Sequence, residues 1–278
     1  MKKIIPTGEG IWKVANMKYG FIGCGNMGGA IAKALSTVTK DIMVTDRTGR
    51  ATTLAADLGI AYGTAEEIAA NCDRIFLGVK PHMMQGVLAP LQKILAVKKP
   101  MLITMAAGLT MEQIDAFAGG GFPVIRIMPN TPTAIGMGVI QYCCNAAVEE
   151  TAAEDWLKDM APCGLVDPLE ERLIDAGSAI SGSGPAYMYI FLEALADGAV
   201  ACGIPRAKAY QYAAMTMAGA AEMYLQTLTH PGALKDAVCS PGGSTIAGVR
   251  ALEQHDFRAA AMDCVIATYN RNKELGKV

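Results

Sequence analysis

Short apolar runs alternate with stretches of helical spacing along the first two thirds of the chain. Tyr19–Ile22, "DRIFLGVK" (73–80), "PMLITMAAG" (100–108) and "FPVIRIMP" (122–129) are uninterrupted enough to be strands buried on both faces. Between them, Ile31, Ala34 and Leu35, and again "LTMEQIDAF" (109–117), place apolar residues on one side of a helix. Strands alternating with helices predict a parallel sheet covered on both faces. The loops at the carboxyl ends of its strands then line the ligand crevice: Gly23–Gly28, Val79–Pro81, Ala106–Gly108 and Met128–Pro132. From about Glu170 the strand pattern stops. "AYMYIFLEALADGAVACG" (186–203) and "KAYQYAAMTMAGAAEMYLQTL" (208–228) are apolar on most faces, and such helices are buried on most faces. A membrane span is the alternative for the first, but Glu193 and Asp197, with no cationic flanks, argue against it. Residues 170–278 are too few to enclose both helices, so this part is expected to pack against a copy of itself, making a homodimer the minimum assembly.

Composition fits that picture. Of 278 residues, 52% are hydrophobic and only 18% charged, against about 25% charged in an average globular chain. The net charge of −2 and the lack of a basic stripe give no footprint for nucleic acid. Eight cysteines include no C-x-x-C pair, and the three histidines are not at ligand spacing, so no metal site is expected. Scattered thiols point to the cytoplasm. Residues 1–16 have no continuous apolar core and no small-residue cleavage pattern, and are read as an extension without assigned function.

Within "MKYGFIGCGNMGGAIAKAL" a strand leads through Gly23-x-Gly25-x-x-Gly28 into a helix, enclosing Cys24, Asn26 and Met27. In that context the spacing is a dinucleotide-binding fingerprint. Gly23 makes the turn, Gly25 lets the backbone approach a pyrophosphate, and Gly28 permits close helix–strand packing. The strand "DIMVTDR" ends at Asp46, where an acid would meet ribose hydroxyls, yet Arg47 follows at once and Arg50 lies close, and an arginine there can hold a 2′-phosphate. Both options stay open. Asn130 and Thr131, held stiffly between Pro129 and Pro132, are expected near the nicotinamide. The fold class is therefore α/β: a Rossmann-type domain over 17–169, then an all-α dimerisation domain over 170–278.

A second anion-holding shape lies in "CSPGGSTIAGVRALE" (239–253), a Pro-Gly-Gly turn opening into a helix. Taken singly, Ser240 and Thr245 there, and Ser181 and Ser183 before the helix of 186–203, are as well explained as helix caps.

Three stretches together, "FIGCGNMGGAIAKAL", "RIMPNTP" and above all "HPGALKDAVCSPGGSTIAGVRALE", resemble pyrroline-5-carboxylate reductase, as does "SGSGPAY". The likeness runs from about Met17 to Lys277. It implies hydride transfer from a reduced nicotinamide to the C=N carbon of Δ1-pyrroline-5-carboxylate, a small imino acid, giving L-proline in the last step of its biosynthesis. It implies that the second loop holds the substrate carboxylate through Ser240, Gly242 and the N–H groups of Gly243, Ser244 and Thr245, with the Thr245 hydroxyl reaching the ring nitrogen as an orienter and proton relay. For the cofactor it adds Val79, Lys80 and Pro81, then Ala106, Ala107 and Gly108, then Asn130 near the ring. NADPH is the implied cofactor, with Arg47 on its phosphate; Asp46 is discordant, so NADH stays an alternative donor. A ring of dimers fits the resemblance. Two other classes compete. A β-hydroxyacid dehydrogenase would carry a catalytic lysine that 181–203 lacks, and a non-catalytic dinucleotide sensor leaves the second loop without a ligand.

Overall fold

The computed structural model describes residues 2–6, 12–15 and 17–275. Strands β1 (Lys2–Pro6) and β2 (Trp12–Ala15) pair antiparallel with each other; the rest of the 1–16 extension lies outside the described residues. Eight further strands form one sheet: β3 (Met17–Ile22), β4 (Ile42–Thr45), β5 (Ala61–Tyr62), β6 (Cys72–Leu77), β7 (Met101–Thr104), β8 (Val124–Met128), β9 (Gly138–Cys144) and β10 (Gly164–Pro168), in the order β10-β9-β8-β7-β6-β3-β4-β5. The chain winds outward from β3 through β4 to β5, then returns to β6 on the other side of β3 and continues to β8. The order reverses between β3 and β6, and there a doubly wound sheet opens a crevice at its carboxyl edge.

One pairing departs from the expected all-parallel sheet. β9 runs antiparallel to β8, with Arg126 opposite Cys143 and Met128 opposite Gln141. The segment from Met128 to Gly138, with a single 3-10 turn at Thr131–Ile135, joins the two strands, and a connection shorter than about a dozen residues cannot carry the chain back for a parallel return. A helical crossover through α7 (Glu150–Met160) then makes β10 parallel to β9.

Helices cover both faces of the sheet: α1 (Asn26–Leu35), α2 (Arg50–Leu58), α3 (Ala65–Asn71), α4 (Met84–Leu88), α5 (Gln92–Lys98), α6 (Met111–Ala118), α7 (Glu150–Met160) and α8 (Ile174–Ser181). Alternation within the buried strands sorts their side chains. Tyr19, Phe21 and Phe76 join Ile31, Leu35 and Trp156 in one core layer, with Phe21 and Phe76 stacked at 4.5 Å between ring centroids. Ile22, Ile75 and Leu77 join Ile68, Leu88 and Ile114 in the other. Capping boxes at Thr64/Glu67 and Thr110/Gln113 start α3 and α6.

Two compact units result, one of Met1–Gly182 with Tyr269–Val278 and one of Ser183–Thr268. The second unit is helical: α9 (Gly184–Ala201), α10 (Arg206–Thr227), α11 (Pro231–Ala237), α12 (Ser244–Gln254) and most of α13 (Phe257–Leu275). α9 and α10 pack together, with Ala196 on one and Ala209 and Ala213 on the other as their buried residues. The Phe191 and Phe257 rings, 5.3 Å apart, and a hydrogen bond between the Tyr187 and Thr268 hydroxyls tie α9 to α13. Among the described residues no helix is long and apolar enough to cross a membrane.

Candidate functional site

The crevice between β3 and β6 is a cleft of about 440 Å³. Gly23 enters it with φ +101°, a left-handed conformation open to glycine at little cost. Its loop interlocks with the one after β6. A Cβ on Gly28 or on Gly78 would each fall 2.3 Å from the Gly23 carbonyl oxygen, while a Cβ on Gly25 would meet nothing within 4 Å. The three fingerprint glycines thus have distinct physical reasons, and Gly78 is a fourth that the spacing rule does not contain. Its signal lay in "LGVKP", directly before the residues singled out. Gly25 is the N-cap of α1 and makes no side-chain cap, so no N-cap side chain sits on the first-turn N–H groups of α1.

Gly23, Gly25, Asp46, Arg47, Val79 and Lys80 all line this cleft, joined by Arg50 and Cys24. The Asp46 carboxylate accepts from the Thr48 hydroxyl at 2.7 Å and from the Gly49 N–H at 3.0 Å. Burial pushes its pKa up, but the bonds from Thr48 and from the Ala51, Gly49 and Thr48 backbone outweigh burial and hold it below the ordinary carboxylate value. Asp46 therefore shapes its own loop as well as facing the cleft. Among the described residues, Arg47 reaches only the Met83 sulfur at 3.5 Å, and Arg50 only the Asn26 side-chain oxygen at 3.4 Å. Neither arginine is paired with an acid in these contacts. Burial, reinforced by the Asp46 charge, pushes the Cys24 thiol up to about 12, so it is no thiolate nucleophile at neutral pH.

Other predicted residues stand around this centre. Met27 is half-buried beside Asn26, and Pro81 opens the turn Pro81–Met83 that follows Lys80. Ala106, Ala107 and Gly108 follow β7 outside the cleft lining. The Ala106 N–H donates to the Thr104 hydroxyl at 3.3 Å, and Ala107 is exposed. Asn130 is buried, and both ends of its amide are engaged. It donates to the Ser181 carbonyl at 3.0 Å and accepts from the Val139 N–H at 2.9 Å.

The second loop belongs to the helical unit. Gly242 takes φ +69°, and the Gly243 N–H closes the turn on the Ser240 carbonyl at 3.0 Å. The Ser240 hydroxyl lies where a Gly243 Cβ would stand, 2.4 Å away. Gly243 itself is the N-cap of α12 and offers no side chain, which corrects the expectation that Ser240 or Thr245 caps the helix. Ser183 likewise makes no side-chain cap on α9: its φ of −91° and ψ of −21° are near-helical, and a hydroxyl reaches the first-turn N–H groups from an extended N-cap. Ser240, Gly242, Ser244 and Thr245 are exposed on the single chain. The first turn of α12 thus presents its N–H groups with no side chain of its own upon them.

Comparison with known proteins matches two family models. Residues 171–275 match pyrroline-5-carboxylate reductase dimerisation, and residues 18–108 match a model described as NADP oxidoreductase, coenzyme F420-dependent. The pyrroline-5-carboxylate reductase of Escherichia coli is 40% identical over 94% of this chain and 98% of its own length. That of Arabidopsis thaliana is 36% identical over 94% and 96%. Among solved structures, the pyrroline carboxylate reductase of Plasmodium falciparum with NADP bound superposes with a TM-score of 0.83 at 31% identity, covering 94% of this chain and 98% of that one. The Coxiella burnetii enzyme does so with a TM-score of 0.85 at 32% identity, covering 94% and 99%.

Proposed function

This chain belongs to the pyrroline-5-carboxylate reductase family, and from that premise we propose which of its residues hold each reactant. It reduces the C=N bond of Δ1-pyrroline-5-carboxylate to give L-proline, the last step of proline biosynthesis, with NADPH as cofactor.

The crevice fits that cofactor. The open space before Gly25 and the uncapped start of α1 suit a pyrophosphate, and the two arginines on one wall suit a 2′-phosphate. Gly23, Gly25, Asn26, Met27 and Gly28 would hold the pyrophosphate, and Arg47 the 2′-phosphate beside Asp46. Val79, Lys80 and Pro81 would lie along the adenosine side, and Ala106, Ala107 and Gly108 beside the nicotinamide ribose. Asn130, its amide already engaged, would shape the nicotinamide end. Bound there, the reduced nicotinamide supplies the hydride equivalent for the imine carbon.

On the substrate side, the carboxylate is held by the Ser240 hydroxyl and the first-turn N–H groups of Ser244 and Thr245, on the turn that Gly242 makes; the Gly243 N–H, expected to join them, closes that turn on the Ser240 carbonyl and so shapes the loop. The observation carrying this assignment is the Gly243 N-cap, whose missing side chain leaves the first-turn donors of α12 to an anion. The Thr245 hydroxyl orients the ring nitrogen and relays its proton. A hydroxyl is a weak acid, but a cyclic iminium already carries its proton, so the reaction asks for position more than for acid catalysis.

On this reading residues 1–16 have no assigned role, residues 17–169 bind the cofactor, and residues 170–278 dimerise and bind the substrate. The chain self-associates through the latter, and a ring of such dimers is the proposed larger assembly. Eight unpaired cysteines fit the reducing cytoplasm. The deciding experiment follows reduced-nicotinamide absorbance with pyrroline-5-carboxylate, using NADPH and NADH in parallel. Faster turnover with NADPH is expected, from Arg47. Preference for NADH would give the ribose to Asp46, and no oxidation with either by folded, cofactor-binding protein would overturn the whole assignment.

A further inference from the structure

α8 is the last element of the first unit before the chain leaves it, and polar contacts clamp it at both ends. At its start, the buried Arg126 of β8 donates to the Asp175 carboxylate at 3.0 Å and stands 3.5 Å from Glu171. At its end, Gln141 of β9 donates through its amide to the Ser181 hydroxyl at 2.9 Å, and that hydroxyl donates to the Gly177 carbonyl at 3.1 Å. The Ser181 carbonyl accepts from Asn130. Gly177 is what admits the amide: a Cβ there would lie 2.8–2.9 Å from all three terminal atoms of the Gln141 side chain. Residues of strand, loop and helix therefore meet in one buried latch. Its amide oxygen, Oε1 of Gln141, has no hydrogen-bond partner among the described residues.

The latch also lies where the chain crosses between units. The chain leaves the first unit after Gly182 and re-enters it at Tyr269. Gly182 is bonded through its N–H to the Ser178 carbonyl, and on the returning segment Asn272 donates to the Asp175 carbonyl at 3.1 Å. Exit and re-entry are thus both attached to α8.

We propose that Gln141 and Ser181 are positioning residues for the reduction: their hydrogen bond locks the end of α8 onto β9, beside the Arg126–Asp175 contact that holds its start to β8, and so steadies both chain crossings that carry the substrate loop. The inference rests on the substrate and cofactor assignments above, because a reaction dependent on placement should respond to a loosened mount. It also gives a reason for "SGSGPAY", whose first serine would otherwise be a helix cap.

Ser181→Ala and Gln141→Leu, singly and combined, test it. Each single change should lower kcat about tenfold while the dissociation constant for NADP+, read on the unliganded protein by calorimetry, stays within about twofold. Hydrogen exchange at the Gly182 amide should quicken about tenfold or more as the end of α8 frays. The double variant should be no slower than the slower single one, since a latch opens once. Wild-type kcat in both single variants would overturn the proposal. So would additive losses, or a loss of NADP+ affinity in step with kcat. Should Gln141→Leu fail to fold, Ser181→Ala decides alone through kcat and Gly182 exchange. A wild-type chain inactive on pyrroline-5-carboxylate would instead sink the functional reading, an outcome distinct from active variants.

Discussion

Gly25 and Gly78 lie in the same crevice, yet substitution should separate them. An alanine methyl at Gly78 would fall 2.3 Å from a backbone oxygen, which cannot swing aside as a side chain would; at Gly25 it meets open space. Gly78→Ala should therefore lower both the melting temperature and NADPH affinity, at an overpacking cost of about 1–3 kcal/mol. Gly25→Ala should leave the melting temperature unchanged and weaken NADPH alone. Calorimetry and a nicotinamide fluorescence titration on both variants check this, and a destabilised Gly25→Ala would refute the close-approach account. In the second loop, Thr245→Ala should lower kcat about 10- to 100-fold with the fold intact, as expected for one hydrogen bond of roughly 1–3 kcal/mol. Unchanged kcat and KM would remove Thr245 from the site. At this scale the sequence was most informative where a residue type is forced, as at Gly23 and Gly28. It was least so where a polar side chain could turn either way. The letters of Asp46 do not say that it binds Thr48 and Gly49, nor do those of Asn130 say that its amide is spent on Ser181 and Val139.

Among elements, the amino ends of the strands differ in kind from the carboxyl ends. Asp159 of α7 receives hydrogen bonds from Lys18, from the Tyr19 hydroxyl at 2.6 Å and from Arg74 at 3.1 Å, tying α7 to β3 and β6 on the side away from the cleft. Burial alone would push the Asp159 carboxyl up. The bonds from Lys18 and Tyr19 and the charges of Lys18 and Arg74 outweigh burial and hold it below its ordinary value. A carboxyl with a depressed folded pKa stabilises the fold above its unfolded value, about 3.9, and that contribution disappears as pH falls through the folded value. Wild-type protein should thus lose stability on acidification below about pH 4, and Asp159→Asn should lose less over the same range while being weaker at pH 7. Urea midpoints at pH 7 and pH 3 measure the difference; equal acid sensitivity would remove Asp159 from that role. None of this network is legible in the sequence, because its members lie far apart in the chain and none has an unusual neighbour. The reversal of β9 was hidden for a related reason. "AIGMG" is rich in glycine and reads as loop, and only the shortness of the turn before it dictates antiparallel return.

Over the whole molecule, the excess of apolar residues finds its place in the helical unit. Tyr189 and Ile190 on α9 are 63% and 68% exposed on the single chain, and Met215 on α10 is 73% exposed. Isolated apolar side chains on a surface need no explanation, but a cluster along two packed helices marks an interface. Both helices lie within residues 171–275, which match a dimerisation model. The sequence showed this through absence of pattern, since α9 and α10 have no polar face wide enough for water. A charge placed there should act on association first. Ile190→Glu together with Met215→Glu should shift the sedimenting species toward the monomer, and the melting temperature should fall and become dependent on protein concentration, because association stabilises only the folded state. Burying a carboxylate in such an interface without a partner costs several kcal/mol, enough to move a dissociation constant by a factor of about 1,000. If both changes leave the sedimentation unaltered, the exposed faces of α9 and α10 lie outside the interface, and the apolar surface that joins the subunits has to be sought on α12 and α13, where Ile246, Met262 and Ile266 are also exposed.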